Sequence, residues 1–243
     1  MSRTGVVTQA RMTSTRLPGK VLIEVRGRTL LDHHLDRLEA AGLEVYVATT
    51  SNAADDPIVD LAERRGLAVH RGSEHDVLAR FAGLVREFGI DTVVRVTSDC
   101  PLIDGGLVAG AIRTFEDLRD PNAYVSNGLR RTFPRGMDLE VFSAEALLNA
   151  DRHATAEAER EHVTPYLYTN ASGRMSLHDV TRTTDASAYR VTLDTPDDLE
   201  LIRTLIEEYG AHRLDCEQII ALLDENPSLV AINAHVEQKK LGQ

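Results

Sequence analysis

Four short apolar runs, TGVVT (4–8), EVYVATT (44–50), LAVH (67–70) and DTVVRVT (91–97), alternate with longer amphipathic stretches. Runs that are apolar at consecutive rather than alternate positions suit strands buried on both faces. That is the pattern of a parallel sheet covered by helices. The stretches between them read as those helices. Leu30, Leu31, Leu35 and Leu38 mark one face of a helix from about Thr29 that stops at Gly42. Asp56 and Pro57 supply an N-cap and a first-turn proline for IVDLAERR, which Gly66 closes. Ser73 and Asp76 resemble a capping box for DVLARFAGLVREF, which ends at Gly89. This rhythm requires right-handed crossovers and predicts an α/β fold with a mostly parallel, doubly wound sheet.

After Phe115 the rhythm loosens. NAYVSN, DLEVFS and MSLHDV read as strands without regular helices between them, and YRVTLDT (189–195) reads as a further strand. Thr195-Pro196 then opens a helix carrying Leu199, Ile202, Leu205 and Ile206, and EQIIALL after Cys216 opens another. Residues 1–243 therefore read as one domain with a small inserted α+β region at about 115–185. That size is ordinary for a single core.

Charge narrows the partners. With 38 acidic against 27 basic residues the chain carries a net −11, which disfavours a long nucleic-acid backbone as ligand. The N-terminus has no apolar segment of a signal peptide, and no run approaches the length that spans a bilayer. Cys100 and Cys216 make neither a metal spacing nor a disulfide framework. The expectation is a cytoplasmic protein that binds neither membrane nor nucleic acid.

Ligands of open parallel sheets bind beyond the carboxyl ends of the strands. The loop after the first strand, QARMTSTRLPGKVL, brings together Gln9, Arg11, Ser14, Arg16 and Lys20. Three cations and free backbone N–H groups there suit a triphosphate, although a solvated basic loop would look the same. It is not a Walker A loop, because Ser14 stands where that motif needs glycine. Asp99 ends the apolar run 91–97 within SDCP, and Asp194 ends 189–193 within DTPD. An acid at such a place is costly unless hydrogen-bonded or bound to a cation. Each could be a turn residue; together they could hold Mg²⁺, which takes one or two protein carboxylates.

Several other residues are weaker candidates. Asp76 and Arg80 lie one helical turn apart and could simply pair on the surface. Asp138 and Glu140 share a strand face and could bind acceptor hydroxyls or face solvent. Glu161 and His162 follow Arg160; His162 lacks partners at zinc spacing. No serine nucleophile elbow is present.

TQARMTSTRLPGKVL resembles the N-terminal signature of the CMP-sugar synthetases, the cytidylyltransferase family, and is closest to its spore coat polysaccharide biosynthesis branch. RVTSDCPLID, FPRGMDLEVFSAEAL, EREHVTPYLY and VTLDTPDDLELI are similar to later segments of that branch, in its order, so the resemblance spans roughly 4–206. It implies a nucleotide-diphosphosugar-transferase type of α/β fold acting as a single nucleotidyltransferase domain. By position, Ala10, Arg11, Arg16 and Lys20 would bind CTP, and Asp99 and Asp194 would bind Mg²⁺. Asp76 and Arg80 would stand for a Gly-Thr-Asp-Arg stretch of the octulosonate enzymes that recognises the acceptor. The inserted region would form a homodimer and border the acceptor site. The implied reaction joins CMP to a small acidic acceptor, a sugar acid such as an octulosonate or nonulosonate, or a phosphonate, with loss of pyrophosphate. Two rivals stand beside it: a nucleotide-sugar-dependent glycosyltransferase, whose DxD motif is approached only by Asp138-Leu139-Glu140, and a non-catalytic nucleotide-binding module.

Overall fold

The computed structural model describes residues 2–237. Its main sheet has seven strands, which with a small hairpin are β1 (Thr4–Gln9), β2 (Glu24–Val25), β3 (Arg28–Thr29), β4 (Val45–Thr50), β5 (Ala68–Gly72), β6 (Thr92–Thr97), β7 (Ala123–Ser126), β8 (Glu140–Ser143) and β9 (Ser176–Asp179). The order is β5-β4-β1-β6-β8-β7-β9, with β2 and β3 paired separately. β1 runs parallel to β4 and β6, with Val6 opposite Val45 and Val94. β8 runs against both β6 and β7, while β7 and β9 are parallel.

The continuous apolar runs end up where their pattern requires. All six residues of β4 are buried, and successive residues of β1 serve opposite faces. Val6 packs with α1 (Leu30–Glu39), α2 (Asp56–Arg64) and α4 (Gly105–Leu118), through Leu31, Leu35, Ile58 and Ala111. Val7 packs on the other side with α3 (Val77–Phe88) and α5 (Ala144–His153), through Phe81, Leu84 and Leu147. Each fully buried side chain of this kind contributes about 1.5–3 kcal/mol, and removing both faces from water fixes the three-layer arrangement. The short helices α6 (Glu157–His162) and α7 (Pro165–Tyr168) follow α5. α8 (Pro196–Glu207), α9 (Cys216–Glu225) and α10 (Pro227–Asn233) build a third cluster around Val191, Leu193 and Leu205.

Three expectations change. YRVTLDT is not a strand of the sheet; only an isolated Arg135–Arg190 bridge is regular. Its apolar residues are real core, with Val191 and Leu193 buried, but their backbones bond to loops, Val191 N to Arg135 O and Leu193 N to Asp99 O. Asp56 is the first residue of α2 rather than its cap, because the preceding Asp55 turns inward. The cap of α3 is Asp76, which accepts from Ala79 N, while Ser73 accepts from Asp76 N one turn earlier. No helix of the described residues is long and apolar enough to cross a membrane.

Candidate active site

The loop that leaves β1 is anchored at both ends before it can present any charge. Ala10 N donates to Ala48 O at 3.1 Å, and Ser14 N and Gly19 N both donate to Met12 O at 3.0 Å. Asp55, 1% exposed, accepts from Met12 N at 2.7 Å and from Thr50 Oγ1 at 2.5 Å, tying this loop to the end of β4. Gly19 adopts a left-handed conformation (φ 68°) and opens a 3-10 turn over Lys20–Leu22. That turn sends the Lys20 side chain inward, where the residue is only 9% exposed.

Lys20 Nζ finds three acceptors there: Asp99 Oδ2 at 2.9 Å, Asp194 Oδ1 at 2.8 Å and the Leu193 carbonyl at 2.7 Å. The two acids arrive on separate segments stitched together by backbone. The Asp99 carbonyl accepts from Leu193 N at 2.8 Å and from Thr192 Oγ1 at 3.1 Å. Asp194 also meets Arg16 at 3.1 Å and Arg190 at 2.9 Å. Arg190 is itself fixed by Asp198 at 2.8 Å, and Asp198 completes a capping box with Thr195 at the start of α8.

Electrostatics favour the charged forms of Asp99 and Lys20. Burial would raise the Asp99 pKa, but the Lys20 ammonium outweighs it and holds the carboxyl below its ordinary value. Burial would likewise lower the Lys20 pKa, and Asp99 and Asp194 together carry it above normal. Two carboxylates thus converge on one cationic point. Among the described residues no group of three or more His, Cys, Asp or Glu side chains could hold a metal. A pair of hard oxygen donors is nonetheless what Mg²⁺ accepts when phosphate and water complete its shell, so the donor set fits that ion.

Beside Asp99 opens a cleft of about 580 Å³, lined by residues of β6, β7 and β8 and by the loop 128–138. Asp138, Glu140 and His162, expected at the acceptor, do line it. The two acids are already engaged. Glu140 accepts from Arg95 at 2.5 Å, Tyr124 at 2.5 Å and Thr164 at 2.7 Å, and Asp138 pairs with Arg131. They shape the cleft rather than offer free oxygens.

Asp76, Arg80 and Glu161 do not line the cleft. Asp76 caps α3 and binds Arg160 through both oxygens, at 2.9 and 2.6 Å. Arg80 is 2% exposed and donates to Ser73 O. Burial and then the nearby charge of Arg11 lower its pKa to about 10. It therefore belongs to the surroundings of the first loop, not to the cleft. Arg11 is exposed and lies 3.9 Å from Glu74. Gln9 Oε1, at the end of β1, is buried without a hydrogen-bond partner.

Sequence reading missed Asp55, Arg95, Tyr124, Arg131, Arg135 and Arg190. The acid pair before Pro57 and the run LRRTFPRG were the visible signals. Neither reveals burial, because the partners lie far along the chain.

A family model described as Cytidylyltransferase matches residues 6–228. The chain is 31% identical to the spore coat polysaccharide biosynthesis protein SpsF of Bacillus subtilis, over 91% of this chain and 94% of that one. It is 35% identical to an uncharacterised protein of Methanocaldococcus jannaschii, over 96% and 95% of the two chains. A solved cytidylyltransferase structure from Leptospira borgpetersenii superposes with a TM-score of 0.90 at 32% identity, covering 99% of this chain and 100% of that one. The fold is accordingly of the nucleotide-diphosphosugar-transferase type.

Proposed function

The chain belongs to the cytidylyltransferase family, and on that premise we propose that it joins CMP from CTP to a small acidic acceptor, a sugar acid or a phosphonate. An acceptor oxygen attacks the α-phosphorus in line. The new bond is oxygen to α-phosphorus, the bond from α-phosphorus to the bridging β-phosphate oxygen breaks, and pyrophosphate leaves; an attacking hydroxyl gives up its proton to water, and an ionised acid oxygen has none to lose. The observation that carries this reading is the Lys20 ammonium held between Asp99 and Asp194, with Arg16 on the second acid, beside an open cleft.

Each residue has a distinct task. Gln9, Ala10, Arg11 and Ser14 bring side chains and backbone groups to the nucleotide. Arg16 and Lys20 offset negative charge that grows on the leaving pyrophosphate. Asp99 and Asp194 would hold Mg²⁺, which supplies neutralisation of the triphosphate and polarises its phosphorus. The stitched backbone between Asp99 and Leu193 keeps the two acids in register, so no ordering is needed when substrate arrives.

The reading includes a homodimer built on the region of about 115–185. Supporting it, β9 is an edge strand of the sheet and Leu177 on it is 43% exposed, the kind of edge that a second copy can cover. The experiment is a pyrophosphate-release screen that crosses CTP, ATP, GTP and UTP with sugar acids, sugar phosphates and phosphonates. Release with CTP and an acid is expected. Turnover of a preformed nucleotide sugar without pyrophosphate would replace this reading with glycosyl transfer. CTP binding without turnover across the panel would leave a nucleotide-binding module.

A further inference from the structure

The cleft beside Asp99 holds three arginines, and their charges are not equally spent. Arg95 is paired with Glu140 at 2.5 Å, and Arg131 with Asp138. Arg135, half-buried in the same lining, has no ion pair among the described residues. Arg131 gives its Nη2 to Asp138 and keeps a buried Nη1 without a hydrogen-bond partner. A half-buried guanidinium with no carboxylate within ion-pair distance, next to an unused buried donor, is costly unless an anion arrives. Burial first and then the charge of Arg131 lower the Arg135 pKa, against an opposing pull from Asp138.

The loop that carries these arginines is built to hold them. Gly136 has φ +100°, and a Cβ there would lie 2.6 Å from the Val191 carbonyl carbon and oxygen. The backbone of Arg135 bonds to both sides of that segment, its N to Tyr189 O at 3.0 Å and its O from Val191 N at 2.8 Å. Buried Asn127 closes the loop, donating to Met137 O at 2.7 Å and accepting from Leu139 N at 3.0 Å. The segment gripped by Arg135 runs directly on to Asp194. One rigid connection therefore sets the distance between the unpaired arginine and the Lys20–Asp99–Asp194 cluster.

We propose that Arg131 and Arg135 form an anion subsite in this cleft, which takes the acid group of the acceptor while another of its oxygens faces the nucleotide. The proposal rests on the cytidylyl-transfer reading for what happens next, but not for the binding itself. Nucleotide phosphates are a poorer match for these arginines, because no residue of the loop 9–22 lines the cleft. The ligand chemistry is a compact oxyanion, carboxylate or phosphonate, either of which a guanidinium fork can grip through two donors. Asp138 then acts as a positioning residue, holding Arg131 in place.

The test titrates the full chain with D-glucuronate, methylphosphonate and neutral D-glucose, followed by NMR, and measures pyrophosphate release alongside. At least one acid should bind and D-glucose should not, and the stronger acid identifies the source of the anion. Arg135→Gln should weaken acid binding by about 10- to 100-fold, the loss of a charge-assisted pair, without lowering the thermal midpoint of the ligand-free protein. Arg135→Lys, which keeps the charge but not the fork, should fall between, and it serves also if the glutamine variant folds poorly. Acid binding that is equal in wild type and both variants, or no acid binding at all, overturns the subsite. Binding that depends on Arg135 without pyrophosphate release from any acid keeps the subsite and removes the transferase reading.

Discussion

The Lys20 ammonium lies 2.9 Å from the Asp99 carboxylate although 79 positions separate them in the chain. The contact is made possible by two turns at neighbouring strand exits, one opened by left-handed Gly19 and one by Ser98-Asp99 after β6. It places a cation where two acids would otherwise repel one another.

Lys20→Met should therefore damage both stability and turnover. Losing a mostly buried charged hydrogen-bond donor costs about 1.5–3 kcal/mol at neutral pH. The pKa of Asp99 is lowered in the folded state, so its contribution is present above the ordinary value of 3.8 and is lost as pH falls through the folded value. The pKa of Lys20 is raised, so its contribution is lost only as pH rises past a folded value above 10.5. Thermal unfolding should show a wide gap between wild type and variant at pH 7 and a narrowing gap toward pH 3. Turnover should fall by on the order of 10²-fold.

His34 supplies a second, separate pH response. Its Nδ1 faces the Cys100 carbonyl at 2.8 Å and must carry the proton, while Nε2 accepts from Thr8 Oγ1 at 2.9 Å. Burial lowers its pKa from 6.5 to about 4. Between those values the unfolded chain binds the proton and the folded chain does not, so stability must fall as pH drops through that window, by at most about 3 kcal/mol. His34→Gln should flatten that part of the stability–pH curve measured by denaturant titration. An unchanged slope would mean that His34 is not held neutral.

Gly136→Ala should unfold or displace the arginine loop. A Cβ would meet backbone atoms of Val191 and Thr192 at 2.6–2.8 Å, and neither can rotate away. With φ at +100° the strain adds about 1–3 kcal/mol. A lower thermal midpoint together with weaker acid binding is expected; a midpoint equal to wild type would show that the loop yields freely.

If the proposed homodimer pairs through β9, wild type should scatter as a dimer and Leu177→Lys as a monomer at the same protein concentration, because a charge at this edge opposes pairing with a second copy. An unchanged mass would remove β9 from the dimer interface.

The sheet was legible because β1, β4 and β6 are apolar at consecutive positions, and parallel strands buried on both faces leave that trace. Arg16, Lys20, Asp99 and Asp194 were legible as candidates because they sit at the exits of apolar runs. That Lys20 would join the two acids was not, since the contact depends on Gly19 and on the crossing of 189–194 beside 97–100. That crossing segment also misled: Val191 and Leu193 are apolar because they pack on α8 and α9, not because a sheet neighbour exists. Arg131 and Arg135 raised no expectation from sequence, because nothing local shows that Gly136 presses their backbone onto Val191. Asp55 escaped for the same reason, its partners being Met12 and Thr50 rather than the helix it precedes.

The most direct measurement is pyrophosphate release from CTP, in Mg²⁺ and a panel of acidic acceptors, by wild type and Asp99→Asn. Wild type should release pyrophosphate with CTP and an acid. Asp99→Asn should lose at least about 10²-fold of that rate, as expected when a group that organises transition-state charge is removed, while its fold by circular dichroism stays intact. A fully active, folded Asp99→Asn protein would contradict the role given to the Lys20–Asp99–Asp194 cluster.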